Sequence, residues 1–89
     1  MTERDFAILR YVRDHGMGTS ATVAQDVLGA PRTTFGRMLK LGAAERHLAG
    51  LVRAGLLAQR GQGERAEFII TSAGRQLLRD ETLRQDRIP

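Results

Sequence analysis

The sequence predicts an α+β fold, mainly helical, in which three or four helices accompany one two-stranded β-hairpin. Apolar residues recur at helical spacing over residues 48–56, which indicates an amphipathic helix. This helix is predicted to end at Ala54-Gly55, because glycine tolerates the positive φ that a helix C-terminus favours. A basic, Gly-rich turn at 61–65 then separates two short segments of strand character, 56–60 and 66–71, as in a β-hairpin.

The first two helices are predicted at 2–15 and about 21–28. Thr2 and Asp5 have the spacing of a capping box, and Thr19 or Ser20 is placed to cap the second helix. Gly29-Ala30-Pro31 then interrupts the chain, since proline disfavours helix in the residue before it. The apolar residues of these two helices are Phe6, Ile8, Leu9, Tyr11, Val12, Val23, Val27 and Leu28.

The segment between this break and the hairpin leaves two interpretations open. Residues 32–41 have the character of a helix capped by Thr33, and residues 43–54 have the character of a second helix that leads directly into the hairpin. Either 30–42 is an insertion with its own short helix, or a helix starting near Thr33 is followed by another before the hairpin. The apolar residues of the first candidate helix that we expect to face the core are Phe35, Met38 and Leu39.

A last helix is predicted at 72–85, with Thr71 as its N-cap. Its apolar positions are Leu77, Leu78 and Leu83, and its outer face carries charges of both signs. Leu83 and Ile88 remain available for a dimer contact, although this helix can equally pack on the first helix of the same protomer. The predicted core comprises Phe6, Leu9, Val12, Val27, Leu48, Leu51, Val52, Leu56, Phe68, Ile70 and Leu77.

The length and composition indicate a single domain over residues 1–89 and argue against several kinds of site. A chain of 89 residues can build one modest core, and dimerisation is an ordinary way to stabilise so small a domain. The chain has no cysteine, and His15 and His47 are too few and too far apart to indicate a zinc site. We therefore expect no disulfide and no metal.

No pattern in the sequence indicates catalysis, a cofactor or a membrane. There is no nucleophile–base spacing or pair of carboxylates in a catalytic context, so an enzyme is not predicted. No apolar run approaches the ~18–20 residues that span a bilayer, and no signal-peptide core follows Met1. We expect a cytoplasmic protein without a cofactor, and we infer no small-molecule ligand.

The charge balance is moderately basic, with 14 Lys and Arg residues against 10 Asp and Glu residues. Thirteen of the basic residues are arginine, whose planar guanidinium suits bidentate contacts with phosphate and with guanine edges. An ordinary solvated surface explains the same composition equally well, because net charge bears on non-specific binding and not on fold.

Two short motifs, LVRAGLL at 51–57 and ITSAG at 70–74, carry a resemblance to a known family. The chain resembles the winged helix-turn-helix transcription regulators of bacteria, of the MarR type, which have a similar L-x-x-x-G-L before their hairpin, or wing, and L-T-x-x-G after it. Ile70 stands where the family usually has leucine. The resemblance covers roughly residues 6–78 and is poor over 29–42. It implies a winged helix that binds double-stranded DNA, with a duplex operator and a second copy in a homodimer as its expected partners.

In such a domain one helix, the recognition helix, enters the major groove. We favour residues 43–54, because the position of the wing identifies the helix before it. Arg46 is the best candidate for a base-edge contact. The exposed face of this helix is expected to carry Ala43, Arg46, His47, Gly50 and Arg53. If the recognition helix instead starts near residue 33, the contacts come from Arg32, Thr33, Thr34 and Arg37.

The wing is the second expected DNA contact, through Arg60, Gln62 and Arg65. These residues would meet phosphates or a narrow minor groove, and would position the domain more than specify a sequence. Two other functions remain open: a protein-interaction adaptor, and the DNA-anchoring domain of a replication, partition or phage protein. The adaptor becomes the better interpretation if the acidic residues Glu45, Glu64 and Glu67 interrupt the basic face.

Overall fold

The computed structural model describes residues 1–86, and over this range it has four α-helices and one two-stranded antiparallel sheet. This confirms the mainly helical α+β class. The elements are α1 (Glu3–His15), α2 (Ser20–Asp26), α3 (Thr34–Arg53), β1 (Leu57–Arg60), β2 (Glu67–Ile70) and α4 (Ser72–Asp86), with a short 3₁₀ turn at Gly63–Arg65. Ile88, which the sequence offered for a dimer contact, lies outside the described residues.

Both predicted N-caps in the first third of the chain are present. The Thr2 hydroxyl accepts from the backbone N–H of Asp5 (3.3 Å), and the Asp5 carboxylate accepts from the backbone N–H of Thr2 (3.0 Å), which completes the capping box of α1. The Thr19 hydroxyl accepts from the backbone N–H of Thr22 (3.2 Å) at the start of α2. Helix α2 ends at Asp26, earlier than predicted, and Val27 and Leu28 pack against the core from the loop that follows.

Helix α2 is held to α1 and, through the loop before it, to the hairpin. The Tyr11 hydroxyl of α1 donates to the Asp26 carboxylate (2.7 Å), and this hydrogen bond raises the pKa of Tyr11. Gly18, in the loop between α1 and α2, forms a two-way backbone bridge with Phe68 of β2 at 2.9 and 2.8 Å. The sequence did not predict this bridge, which ties the hairpin to the helical part of the domain.

Helix α3 is a single helix of 20 residues, so both two-helix interpretations of 32–54 are wrong. Thr33 is its N-cap, as predicted, and accepts from the backbone N–H of Gly36 (3.2 Å). The helix passes through Gly42 without interruption. A glycine inside a helix costs only about 1 kcal/mol relative to alanine, and the buried Ala44 and Leu48 on the next turns stabilise the helix across it.

The two family-like motifs form one structural unit at the ends of the hairpin. Gly55 has φ +77°, and the N–H groups of Gly55 and Leu56 donate to the carbonyls of Val52 and Leu51, which is a Schellman C-cap for α3. Thr71 caps α4 by accepting from the N–H of Gly74 (3.1 Å), and its hydroxyl donates to the Gly55 carbonyl (2.7 Å). Thr71 therefore links the end of α3 to the start of α4.

The core lies between the four helices and the buried face of the hairpin. The strands pair in register from Leu57 opposite Ile70 to Arg60 opposite Glu67, and Phe68 and Ile70 share the buried face as predicted. Helix α4 packs on α1 within one protomer. The eleven residues given as the predicted core, from Phe6 to Leu77, are all buried or packed against the core. The core also includes Ile8, Val23, Ala24, Ala44, Leu57, Ala66 and Leu78.

Candidate nucleic-acid interface

One face of α3 packs on the core, and the opposite face is exposed at every turn except at Gly42, which is half-buried. Ala44, Leu48 and Leu51 define the buried side. The residues that point the other way follow the spacing of one helical face, at i, i+4, i+7, i+11, i+15 and i+18. We call them the outer row; they are Phe35, Leu39, Gly42, Arg46, Gly50 and Arg53.

Three residues of the predicted recognition face belong to this outer row and two do not. Arg46, Gly50 and Arg53 are exposed, whereas Ala43 and His47 are half-buried on the side of α3 that faces α1. The His47 ring donates from Nδ1 to Oδ1 of Asp5 (2.8 Å). The expectation that His47 meets a base or phosphate therefore needs correction, because the packing of α1 on α3 directs its ring to Asp5.

A cleft of about 530 Å³ lies between the start of α1 and the C-terminal half of α3. Arg4 and Arg46 both line it, as do Met1 and the Asp5–His47 pair. Arg4 was not among the residues predicted from the sequence, because no local sequence pattern indicates that the first turn of α1 lies beside residue 46. The cleft adds a second arginine next to the C-terminal half of the outer row.

The N-terminal end of α3 carries the alternative set of predicted contacts. Arg32, Thr33, Thr34 and Arg37 are all exposed, and Arg32 and Arg37 line one cleft together with residues of α2. The Thr33 hydroxyl is engaged in capping α3. Arg37 and Arg46 are nine residues apart in one helix, about two and a half turns, so the two predicted contact sets lie on different sides of α3, Arg37 beside α2 and Arg46 beside α1.

The expectation that Phe35, Met38 and Leu39 face the core is wrong. Their exposed fractions are 73%, 66% and 58%, so they form an apolar patch at the N-terminal end of the outer row. The reason is the continuity of α3: when residues 34–53 form one helix, Phe35 and Leu39 fall opposite Leu48 and Leu51. A helical wheel drawn over the whole segment would have found this patch.

The hairpin brings its basic residues to the surface but does not join them to α3 in one positive face. The Arg60 guanidinium donates to the carboxylate of Glu67, its partner in the strand register, at 2.6 Å. Gln62 and Arg65 are exposed in the turn. Glu45 of α3 and Glu64 of the turn both line a groove between α3 and the hairpin, which we call the acidic groove.

The Asp5–His47 pair links the first turn of α1 to α3 and makes that junction sensitive to acid. Partial burial alone would raise the pKa of the Asp5 carboxyl. The hydrogen bonds from the Thr2 backbone and hydroxyl and from the His47 ring, with the charge of that ring, outweigh burial and hold the pKa below its ordinary value. A lowered pKa means that the charged carboxylate stabilises the folded state.

We expect Asp5→Asn to lower the free energy of unfolding at neutral pH by about 1 kcal/mol, through the weakened capping box and the lost His47 pair. The difference from wild type should persist down to the ordinary aspartate pKa of 3.8 and shrink as the pH falls through the lowered value. Urea unfolding from neutral pH to about pH 2 measures it. Asp80→Asn, exposed on α4, is the control, and a pH-independent difference for Asp5→Asn would contradict the prediction.

Among the side chains that the structure describes, those of residues 1–84, no group of three or more histidine, aspartate or glutamate residues is arranged to hold a metal ion. Over residues 1–86, no helix has the length and apolar character needed to cross a membrane. Comparison with known proteins finds no family model that matches the chain and no curated protein with significant sequence similarity to it.

Proposed function

We propose that this chain is a winged helix-turn-helix domain that binds double-stranded DNA, with α3 as its recognition helix and the hairpin as its wing. The observation that carries the proposal is the open outer row of α3. The row combines exposed Arg46 and Arg53 with exposed Gly50, where a Cβ atom would have no neighbour within 4 Å and the lack of a side chain lets the helix backbone approach a groove closely. The order of elements supports it too, since α2 packs against α3 and α3 leads directly into the hairpin.

The major groove of B-DNA has dimensions that suit this helix. The groove is about 12 Å wide and admits an α-helix. Among the side chains of residues 1–84, neither Arg46 nor Arg53 has a hydrogen-bond or ion-pair partner, so both guanidinium groups are available to phosphates or base edges. The role in the cell that fits such a domain is regulation of transcription, with a dimer binding an inverted repeat.

The experiment that tests the proposal is fluorescence-anisotropy binding of the protein to random-sequence duplex DNA at low and moderate salt. Several phosphate contacts predict that log K falls linearly with log salt, by about one unit of slope per phosphate. A steep slope supports DNA binding. No binding to duplex DNA at low salt would refute it.

The hairpin arginines are expected to contribute unequally. Arg65→Ala should lower affinity for all duplex sequences to a similar extent and reduce the salt slope by about one, as expected for a lost phosphate contact. Arg60→Ala should have a smaller effect, because Arg60 already pairs with Glu67. Binding of both variants at several salt concentrations checks the prediction, with Arg84→Ala on α4 as the control. Equal losses for Arg60→Ala and Arg65→Ala would contradict the weaker role of Arg60.

A protein-interaction adaptor is the second candidate, and the acidic groove favours it, because it interrupts the basic face between α3 and the hairpin. DNA binding stays the first proposal because no acidic residue interrupts Arg46 and Arg53 on the outer row. Glu45 and Glu64 lie between the basic residues of α3 and those of the hairpin, where a duplex touching both elements would pass. The charge variant Glu45→Gln/Glu64→Gln separates the two functions. On a DNA-binding surface this change should raise affinity for duplex DNA, since it removes two negative charges near phosphates. An unchanged, weak affinity would favour the adaptor.

A further inference from the structure

The apolar patch is an unusual feature of the outer row. Phe35, Met38 and Leu39 are large apolar side chains grouped within five residues, and each has more than half of its surface exposed. Single exposed apolar residues need no explanation, but a contiguous group marks a binding surface. The group lies at one end of the same row that carries Arg46 and Arg53 at the other.

The charges on the outer row restrict what can cover the patch. The row carries Arg46 and Arg53 and no acidic residue, whereas Arg37 lies on another side of α3, in the cleft beside α2. A second copy packed face to face along this row would bring the guanidinium groups of two chains together without an acidic residue of the row to compensate them, which is unfavourable. The occupant that fits has a high density of negative charge and also presents apolar groups.

The major groove of DNA has both properties. Its edges are lined by phosphates, and thymine presents a C5-methyl group on the groove floor, which apolar side chains such as phenylalanine contact. The distance along α3 from Phe35 to Arg46 is about 16 Å, or three helical turns, and both residues lie on the outer row, so a helix that lies along the groove brings the patch and Arg46 to the same groove at different base pairs. We infer that the apolar patch reads thymine methyl groups, so that the N-terminal end of α3 selects A·T pairs in the major groove.

This inference rests on the proposed DNA-binding function, and the experiment must separate the two. The probe is a duplex of about 20 base pairs, or two helical turns, made of A·T pairs in mixed order. A second duplex carries uracil in place of every thymine. It has the same charge, pairing and hydrogen-bonding edges, and it lacks only the methyl groups.

We expect the wild-type protein to bind the thymine duplex more tightly than the uracil duplex. Burial of one methyl group predicts a ratio of about 4, and burial of two predicts a ratio above about 10. The variant Phe35→Ala/Leu39→Ala should lower this ratio to near one while retaining most of its affinity for the uracil duplex. Both side chains are exposed, so their truncation leaves the core intact.

Met17→Ala is the control, because Met17 is an exposed apolar residue in the loop between α1 and α2, with an exposed fraction of 40%. This variant should keep the wild-type ratio. Equal affinity of the wild-type protein for thymine and uracil duplexes would overturn the inference and leave DNA binding standing. Absence of binding to either duplex would instead overturn the proposed function. If Phe35→Ala/Leu39→Ala converts a dimer to a monomer in sedimentation without changing the ratio, the patch contacts a second copy and the inference fails.

Discussion

The double variant Arg46→Ala/Arg53→Ala should bind random duplex DNA about 100-fold more weakly than the wild-type protein. Each arginine that contacts a phosphate or base edge contributes about 1–3 kcal/mol, and 1.4 kcal/mol corresponds to a factor of ten. Both side chains lie on the outer row of α3, exposed and on the side opposite the core. The salt slope should also fall by about one for each phosphate contact removed. Anisotropy titrations at several salt concentrations measure both quantities.

The control for this result must remove the same charge from another surface. Arg75→Ala/Arg79→Ala changes the net charge equally, but its two arginines are exposed on α4. If DNA binding depends on the outer row, this variant should lose little affinity. Similar losses in the two double variants would mean that net charge alone governs binding, and the outer row would then not be the interface.

Gly74→Ala should produce the largest loss of stability of any single substitution considered for this chain. A Cβ atom at position 74 would clash with the carbonyl oxygen of Leu56 and would lie 2.8 Å from Cγ1 of Ile70. The Leu56 carbonyl already accepts from the N–H of Thr71 (3.1 Å), so the backbone cannot move away without weakening that bond. Overpacking of this kind costs about 1–3 kcal/mol, so the melting temperature should fall by about 10 °C.

Gly50→Ala is the matched control for this substitution. Gly50 is also in a helix, but a Cβ atom there has no neighbour within 4 Å. Alanine should therefore stabilise α3 by about 0.5–1 kcal/mol, through helix propensity alone. Thermal unfolding followed by circular dichroism measures both variants. A Gly74→Ala protein as stable as the wild type would show that α4 does not need its close approach to Leu56.

The close approach of Gly74 to Leu56 is one of the contacts that join the two family-like motifs. The first motif ends α3 with a glycine at positive φ, and Thr71 of the second motif donates to the carbonyl of that glycine. Gly74 then allows the first turn of α4 to pass against Leu56. The motifs are thus two halves of one junction, which holds the hairpin between α3 and α4.

The local signals in the sequence predicted most of the secondary structure correctly. Thr2, Thr33 and Thr71 each cap the helix that they were expected to cap, and Thr19, one of two candidates together with Ser20, caps α2. The hairpin followed from the two segments of strand character and from the glycines of the turn, and Phe68 and Ile70 of the predicted core lie on its buried face. Each cap joins residues three positions apart, and the predicted turn at 61–65 is five residues long, so a single sequence contains the information needed to predict these features.

The predictions that were wrong concern features of α3 that depend on contacts between residues far apart in the chain. Gly42 was compatible with a break between two helices, but the packing of α2 and the core on α3 favours one continuous helix. That continuity exposes Phe35, Met38 and Leu39, which local periodicity had assigned to the core. Of the residues predicted for the recognition face, Arg46, Gly50 and Arg53 are exposed on the outer row. The sequence-based prediction did not include the apolar patch.

By itself, the sequence determined the mainly helical α+β class, the capping residues, the hairpin and most of the core, because short-range hydrogen bonds and side-chain periodicity specify them. Only the tertiary structure decided which face of α3 is open, that His47 is engaged by Asp5, and that Glu67 partners Arg60. His47 and Asp5 are 42 residues apart in the chain. The His47–Asp5 contact forms only when α1 packs on α3, and no local sequence pattern indicates that packing.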